Sequence, residues 1–394
     1  MHPSIVPRVL DLAGEIQQIP APTFSESARA NFIQHRFIEE NLVDVDLDRT
    51  GNVYGRLPGR GEAPPLVVSA HMDTVFPTSI ELRLVREAGR ICGPGIGDNS
   101  LGVASLFGLL WGLTEHHPST NPDTSSPVES PHHPDHEFAS STLPGDLWLV
   151  ANVGEEGLGD LRGMRAVVDR FGDQPLAYLV LEGMALGQIY HRGLGVRRYR
   201  ITVSTKGGHS WVDFGRPSAV HELAAFINRL TAIPLRDHPR TTLNVGRISG
   251  GTSINTIASH AELELDLRSE DLQVLLDLAG RVEALVKASN RPEVKFSYQQ
   301  VGDRPVGGLP AQHPLVRLAQ RSLMSLGIQP CLNIGSTDAN IPLSQGIPAI
   351  CLGLTTGARA HTPDEYINTA PLAQGLRQIL LIVRGAFNQL VPAE

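Results

Sequence analysis

Cysteine is scarce in this chain of 394 residues, which contains only Cys92, Cys331 and Cys351. Three scattered cysteines exclude both a disulfide framework and a zinc site built from thiolates. Buried, reduced thiols in a cytoplasmic protein are the simpler interpretation. No charged segment followed by an apolar one marks a signal peptide, which also favours the cytoplasm.

Basic residues and long apolar runs are also in short supply. Lys and Arg number 33 against 41 Asp and Glu, giving a formal net charge of −8. A general nucleic-acid binder would need a basic surface instead. The longest largely apolar stretch, Leu101–Leu113, is too short to span a bilayer and predicts a buried helix. We therefore expect neither a nucleic-acid partner nor a membrane.

Short apolar runs bounded by turns alternate with helical segments along much of the chain. The runs are Leu66–Ala70, Leu147–Ala151, Ala177–Leu181 and Ala349–Leu354. This alternation predicts an α/β fold, with a mixed, mostly parallel sheet and helices on both faces. Because ligands bind beyond the carboxyl ends of strands in such sheets, the polar residues that follow these runs are the candidate site.

Two further segments are predicted from local composition. Thr23 and Glu26 have the spacing of a capping box, so a helix is expected over Pro22–Glu40. The segment His116–Gly145 is rich in Pro, Ser, Thr, Asp and His. With almost no large apolar residue, it predicts a disordered surface insertion rather than a metal-binding histidine cluster.

The pattern changes near Gly193, where strands such as 198–204 alternate apolar and polar residues. Strands and helices then follow in the order β-α-β-β-α-β, that of a ferredoxin-like α+β unit. The apolar runs return after this unit. We therefore predict a catalytic domain over 1–192 and 308–394, interrupted by a smaller domain over 193–307.

Residues with the chemistry of metal ligands follow the apolar runs. His71 and Asp73 follow the first run and, two residues apart in an extended segment, point the same way. Asp98 precedes the apolar helix, where a plain helix cap is the alternative. Glu155 and Glu156 follow another run between glycines. A solvated turn usually explains such a pair, although a nearby dication would remove the repulsion.

Glu182 and His361 complete the set of strand-end residues. Hard oxygens with imidazoles and no thiolate suit Zn²⁺, Co²⁺ or Mn²⁺. Two dications bring four positive charges, which exceed the charge of the candidate carboxylates and so could activate a water molecule. Those carboxylates are Asp98, Glu156 and Glu182.

Six segments together resemble the co-catalytic dinuclear zinc exopeptidase and deacylase family, which includes carboxypeptidase G, aminoacylase, tripeptidase T and acetylornithine deacetylase. The resemblance covers nearly the whole chain. The segments are HMDT at 71–74, GDNS at 97–100, GEEG at 154–157, KGGHSW at 206–211, GSTDAN at 335–340 and HTPDEY at 361–366.

The resemblance implies two divalent metal ions, expected to be zinc, with cobalt or manganese as alternatives. Their ligands would be His71 and Glu182 for one ion, Glu156 and His361 for the other, and Asp98 for both. Asp73 would orient His71, and Glu155 would be the general base. A cis peptide bond between Asp98 and Asn99 is also implied.

The resemblance assigns the smaller domain the roles of lid and dimerisation domain. His209 would reach the active site of the partner subunit in a homodimer and stabilise an oxyanion there, although it could be a plain loop histidine. Arg268 could instead form a surface ion pair with Asp266 or Glu270. The residues that would bind substrate are Asn255, Arg268 and Ser336.

These roles imply an exopeptidase that hydrolyses amide bonds in short peptides, by a hydroxide that two metal ions activate and a glutamate general base. An N-acyl amino acid deacylase would need the same centre and remains the alternative. A metal-binding protein without catalytic activity is a third reading, which loss of the base or of a ligand would favour. All those positions are filled in this sequence.

Overall fold

The computed structural model describes residues 1–114 and 143–390. The greater part of the predicted insertion, 116–142, lies outside the described residues. The helices are α1 (Ile5–Gln17), α2 (Ser27–Glu39), α3 (Leu101–Thr114), α4 (Arg162–Phe171), α5 (Ala219–Thr231), α6 (Leu272–Ala288), α7 (Pro314–Ser325), α8 (Asn340–Ser344) and α9 (Leu372–Gln389).

The strands follow the same chain order and are β1 (Val43–Leu47), β2 (Val53–Leu57), β3 (Leu66–His71), β4 (Val85–Glu87), β5 (Arg90–Cys92), β6 (Leu147–Asn152), β7 (Tyr178–Glu182), β8 (Gln188–Gly193), β9 (Gly195–Thr205), β10 (Gly208–His209), β11 (Thr241–Gly250), β12 (Thr256–Ile257), β13 (His260–Ser269), β14 (Val294–Arg304), β15 (Gly307–Gly308), β16 (Cys331–Gly335), β17 (Ala349–Gly353), β18 (Gly357–Ala358) and β19 (Tyr366–Asn368).

The chain divides into two compact units. The first comprises Met1–His191, Leu309–Asn333 and Gly346–Glu394, and the second comprises Arg192–Gly308 and Ile334–Gln345. Each unit has its own sheet and its own apolar core.

The first unit is built on a mixed sheet with the strand order β1-β2-β6-β3-β7-β17-β8. Strands β6, β3, β7 and β17 pair in parallel, while β1, β2 and β8 pair with antiparallel neighbours. All residues of β3 and β17 are buried, as expected for parallel strands that are covered on both faces. The predicted α/β fold with a mostly parallel sheet is confirmed.

Helix α3 is buried around its circumference from Leu101 to Trp111, which agrees with its apolar sequence. Helices α1 and α9 approach it closely at Gly108. A Cβ atom there would lie 2.7 Å from a Val9 methyl group and 3.0 Å from Leu376. The glycine therefore permits this packing, which places α3 in the core directly after the loop that contains Asp98.

The helix predicted to begin at Pro22 begins instead at Ser27, as α2. Glu26 makes no side-chain capping bond and forms an ion pair with Arg162 at 2.6 Å. The Thr23 hydroxyl donates to Asp73 Oδ2 at 2.9 Å. The capping-box prediction was wrong because both polar side chains are used in tertiary contacts, which local spacing does not reveal.

The second unit contains an antiparallel sheet with the order β11-β13-β9-β14. One face packs against helices through a buried cluster that includes Ile201, Leu223 and Phe226. The other face bears ion pairs such as Arg200–Glu264 at 2.9 Å. A separate antiparallel domain with the β-α-β-β-α-β element order is thus present, as the alternating strands predicted.

The three cysteines are free, but only Cys351 is buried. Cys92 is half-buried and Cys331 is exposed, so the expectation of buried thiols was correct for one of them. None of the helices within residues 1–114 and 143–390 combines the length and hydropathy needed to cross a bilayer.

Candidate metal centre

Part of the candidate site lies at one edge of the sheet, at the carboxyl ends of the neighbouring parallel strands β6, β3 and β7. His71 ends β3 and pairs in register with Asn152 at the end of β6. Glu155 and Glu156 follow the end of β6 after two residues, and Glu182 ends β7. These residues lie where the apolar runs predicted, beyond the carboxyl ends of parallel strands.

Asp98 and His361 reach the same place by another route. Asp98 lies in the turn Ile96–Ser100, which follows β5 and in which the backbone of Asp98 is not helical, and His361 lies between β18 and β19. Strands β5, β18 and β19 belong to a separate four-stranded sheet with the order β18-β19-β5-β4. The expectation that all five candidate ligands follow strands of the main sheet was therefore wrong for these two.

The five side chains form two groups that share Asp98. In the first group, Nε2 of His71 is 3.2 Å from Asp98 Oδ1 and 3.7 Å from Glu182 Oε2. In the second, Nε2 of His361 is 3.0 Å from Asp98 Oδ2 and 3.1 Å from Glu156 Oε1. The Asp98 carboxylate thus presents one oxygen to each group, as a bridging ligand would.

The donor atoms of each group lie within 4.8 Å of one another. Glu155 belongs to a further combination of this kind, with His71 and Glu156, so its carboxylate faces the same site. Imidazole nitrogens and carboxylate oxygens at this spacing are a donor set that Zn²⁺, Co²⁺ or Mn²⁺ accepts. The residues present therefore fit the pair of cations that the sequence motifs imply.

The pKa values reflect a dense cluster of negative charge. Burial lowers the pKa of His71, but the surrounding carboxylates, Glu182 foremost, outweigh it and raise that pKa well above its usual value. Burial opposes ionisation of Asp98, yet hydrogen bonds from both histidines hold its pKa below the ordinary range. Hydrogen bonds to Asp98 and Glu156 raise the pKa of His361 to about 10. The site therefore attracts positive charge.

Asp73 is fully buried and connects two parts of the site. Its Oδ1 accepts the backbone N–H of Glu155 and its Oδ2 that of Glu156, both at 3.0 Å. Nδ1 of His71 donates to the Asp73 carbonyl at 3.1 Å, which leaves Nε2 facing the carboxylates. Asp73 thus contacts His71, the residue that the resemblance has it orient. Its hydrogen bonds with the backbone of Glu155 and Glu156 were not predicted.

Sequence reasoning missed Glu365, which is fully buried beside the centre. Its carboxylate accepts backbone N–H groups of Gly95, Gly97 and Asp98. Burial and the Asp98 charge raise the pKa of Glu365 to about 7 despite these donors. The HTPDEY segment contained it, but an acidic residue next to another acidic residue gives no local sign of burial.

Asn99 is a second residue to which the sequence motifs assigned no role. The peptide bond between Asp98 and Asn99 is cis, as the resemblance implied. The Asn99 side chain accepts the N–H of Gly183 at 2.9 Å and donates to the Leu181 carbonyl at 2.8 Å. It thereby connects the loop of Asp98 to the end of β7, next to Glu182.

The second unit contains the remaining candidates, of which His209 and Asn255 are neighbours. Strand β10, which ends at His209, pairs with β12, and Ser210 N–H donates to the Asn255 carbonyl at 3.0 Å. The exposed His209 ring accepts backbone N–H groups at Nδ1, from Trp211 at 3.2 Å and Val212 at 3.4 Å. The neutral ring therefore holds its proton on Nε2, where it can be donated.

Arg268 and Ser336 have partners within the second unit. Arg268 Nε donates to Asp266 Oδ1 at 2.7 Å, which is the ion pair that the sequence left open as the alternative to substrate binding. Ser336 accepts from the buried Arg304 at its hydroxyl, at 3.2 Å.

Comparison with known proteins identifies two domain types in the chain. Residues 192–294 match the M20 peptidase dimerisation domain, and residues 52–161 match peptidase family M28. Succinyl-diaminopimelate desuccinylase from Corynebacterium glutamicum is 24% identical over 376 residues, which are 90% of this chain and 92% of that one.

Solved structures match along the whole chain. A tripeptidase from Staphylococcus aureus has a TM-score of 0.76 at 22% identity and covers 98% of this chain and 99% of its own. A Bacillus subtilis protein described as a dinuclear metal binding peptidase from the M20 family has a TM-score of 0.65 at 14% identity, with 98% and 100% coverage.

The matches thus relate this chain to peptidases and deacylases at the level of two domains and of the fold. The chain contains regions that match an M20 peptidase dimerisation domain and peptidase family M28, and its fold is shared with solved peptidases of the M20 family. The resemblance drawn from the sequence motifs is confirmed. The matches support hydrolysis of the peptidase or deacylase kind in general.

Proposed function

We propose that the protein is a metal-dependent exopeptidase that hydrolyses amide bonds in short peptides. The observation that supports this proposal is the Asp98 carboxylate, whose two oxygens face two separate groups of ligands. His71 and Glu182 would hold one divalent cation, and Glu156 and His361 the other. The tripeptidase that matches almost the whole chain supports a short peptide as the substrate.

Two bound cations would supply Lewis acidity, which lowers the pKa of a water molecule and polarises the amide carbonyl. The chain contributes the remaining chemistry. Glu155 is 7% exposed, and its backbone is fixed by Asp73, so its carboxylate is held at the edge of the ligand groups. Zinc is the expected metal, with cobalt or manganese as alternatives.

Glu155 would act as the general base and then as the general acid. Its carboxylate accepts a proton from the attacking water and returns that proton to the leaving amine. Glu155 is adjacent in the chain to the proposed metal ligand Glu156, so one turn positions both the base and the ligand. Asp73 contacts both His71 and the Glu156 backbone, and so orients the two together.

The second unit would complete the site in a homodimer. His209 presents an Nε2–H donor that could stabilise the oxyanion formed from the carbonyl in the partner subunit's site. Asn255 lies beside it and would contact the substrate. Arg268 and Ser336 would contribute further substrate contacts if Arg268 exchanged its ion pair with Asp266 for a substrate carboxylate.

The test combines metal analysis with a substrate panel. The purified chain is depleted with a chelator, reloaded separately with Zn²⁺, Co²⁺ and Mn²⁺, and assayed on tripeptides, dipeptides and N-acyl amino acids. We expect two ions per chain and turnover of short peptides. A reloaded protein that binds two ions but is silent across the whole panel would favour a metal-binding protein without catalytic activity.

An N-acyl amino acid deacylase is the second candidate, and the desuccinylase from Corynebacterium glutamicum is the relative that favours it. Both activities cleave an amide bond with the same centre, and they differ in which charged end of the substrate is bound. N-succinyl and N-acetyl amino acids in the panel distinguish them. A kcat/KM higher for these than for any tripeptide would replace the exopeptidase proposal.

A further inference from the structure

A buried carboxylate beside the centre has no place among the proposed ligands or catalytic groups. Glu365 is 0% exposed, and its two oxygens accept three backbone N–H groups. Gly95 donates at 3.0 Å, Gly97 at 2.7 Å and Asp98 at 2.8 Å. One side chain thus accepts three backbone N–H groups of a turn that ends at Asp98, the proposed bridging ligand.

The backbone of Glu365 adds a further contact, since its carbonyl accepts the N–H of Gly93 at 2.8 Å. Glu365 lies four residues after His361 in the same loop. The loop that contains Asp98 and the loop that contains His361 are therefore joined by four hydrogen bonds through one residue. Those two loops supply two of the three proposed ligands of one metal ion.

The turn resembles an anion-binding nest, in which several backbone N–H groups converge on one acceptor, although the Ile96 N–H donates to the Gly93 carbonyl instead. Gly95 has a left-handed φ of 71°, which helps the amides to point to one side. Here the anion is the protein's own carboxylate. Such buried N–H groups need an acceptor, so the turn depends on Glu365 for its conformation.

We propose that Glu365 is a positioning residue, which sets the distance between Asp98 and His361 and thereby forms the second metal site. The inference rests on the proposed dinuclear centre and deepens it. Asn99 anchors the opposite side of the same loop, next to Glu182. The two anchors are separate, so loss of Glu365 should affect mainly the ion bound by Asp98, Glu156 and His361.

The experiment compares metal binding in the wild-type chain and in Glu365→Gln. Glutamine keeps the shape but turns an amide N–H₂ toward one of the backbone donors. Calorimetric titration of the apo protein with Zn²⁺ should show one ion bound as in the wild type. The second ion should bind about 10–100-fold more weakly, the usual cost of losing a group that orients a metal ligand.

Asp364→Asn is the matched control, because it removes the same charge from the neighbouring residue, whose side chain is 78% exposed. We expect wild-type binding of both ions in this variant. In steady-state kinetics at saturating metal, Glu365→Gln should lower kcat more than it raises KM. A residue that only stabilised the fold would lower the unfolding temperature without this pattern.

Glu365→Asp provides the conservative comparison should the glutamine variant fail to fold. It keeps the carboxylate on a side chain one methylene shorter. Its loss of affinity for the second ion should therefore be smaller than that of Glu365→Gln. If Glu365→Gln does not fold, Glu365→Ala takes its place in this comparison. Hydrogen exchange of the amides at 95, 97 and 98 in the wild-type apo protein gives an independent reading. Strong protection is expected, and rapid exchange there would contradict the proposed hydrogen bonds.

The outcomes separate this inference from the proposed function. A wild-type chain that binds two ions, together with a folded Glu365→Gln that binds both with unchanged affinity and kcat, would reject the positioning role alone. A wild-type chain that binds no second ion would reject the dinuclear proposal as well. Equal weakening in Asp364→Asn would show that removal of a nearby charge, rather than the position of Glu365, causes the effect.

Discussion

At the residue scale, the centre depends on which polar atom of each side chain contacts which partner. His71 donates from Nδ1 to a backbone carbonyl and keeps Nε2 for the carboxylates, while Asp98 gives one oxygen to each histidine. The two ring nitrogens of His71, like the two oxygens of Asp98, thus face different partners. Substitutions that keep the shape but change one atom are therefore the most informative tests.

Glu155→Gln removes the proposed base and keeps its size. The variant should retain both ions but lose about 10²–10⁴-fold in kcat, the range that general acid–base catalysis contributes. Metal content by plasma emission and turnover of the best peptide check this expectation. Glu62→Gln, at a site 57% exposed, is the control. Loss of metal with a high residual rate would exchange the roles of Glu155 and Glu156.

Metal binding should release protons near pH 8. The pKa of His361 in the metal-free protein is about 10, so its imidazole is protonated there, whereas a coordinated imidazole must be neutral. Apparent affinity should therefore rise as pH increases toward 10. Calorimetry in two buffers of different ionisation enthalpy measures the release. It should be smaller in His361→Ala, and equal release in both proteins would count against His361 as a ligand.

At the scale of elements, the sequence predicted the parts of the site that follow strands of the main sheet. Three apolar runs became β3, β6 and β7, and their ends deliver His71, the glutamate pair and Glu182. Asp98 and His361 come from loops of a small sheet whose strands are two or three residues long. Strands that short have no detectable periodicity, so the sequence placed Asp98 and His361 in the site by their chemistry and by the motif resemblance, but not on the strands that position them.

The turn after β6 depends on Asp73, which accepts the backbone N–H groups of Glu155 and Glu156. In Asp73→Asn one N–H would face an amide donor instead. We expect the apo protein to lose about 1–3 kcal/mol in free energy of unfolding, the cost of an unsatisfied buried group, and to bind metal more weakly. Denaturant titration with Asp44→Asn, 57% exposed, as the control measures this. An unchanged midpoint and unchanged metal affinity would contradict it.

The same residue predicts a pH dependence. Burial opposes the charge on Asp73, but hydrogen bonds from His71 and from the backbone of Glu156 and Glu155 lower its pKa overall. A carboxyl group whose pKa is lower in the folded than in the unfolded chain stabilises the fold at pH values above its unfolded-state pKa. This stabilisation disappears as the pH falls through the folded-state pKa. The stability difference between the wild type and Asp73→Asn should therefore shrink below about pH 4.

At the scale of the whole molecule, the proposed role of His209 requires two chains. The loop after β10 exposes Trp211 (86%) and Phe214 (89%), large apolar side chains of the kind that protein partners cover. The match of this region to a peptidase dimerisation domain supports the same assembly. A dimer should be needed for full activity.

Complementation tests whether His209 acts across the dimer. Glu155→Gln and His209→Asn should each be nearly inactive alone. After the two are unfolded together and refolded as a mixture, half the dimers are mixed, and each contains one intact site, so about a quarter of wild-type activity should return. Activity that stays at the level of the separate variants would show that His209 acts within its own chain or not at all. Full activity of a diluted monomer would exclude the dimer requirement.

The sequence by itself determined the alternation of apolar runs and helices, the interrupting antiparallel unit, and the side chains available to bind metal. These follow from local periodicity and from residue chemistry, which need no knowledge of distant contacts. Only the tertiary structure decided that Thr23 donates to Asp73, that Arg268 pairs with Asp266, and that Glu365 is buried under the loop of Asp98. Hydrogen bonds between residues as far apart as 98 and 365 depend on how the loops pack, and no short-range pattern encodes that packing.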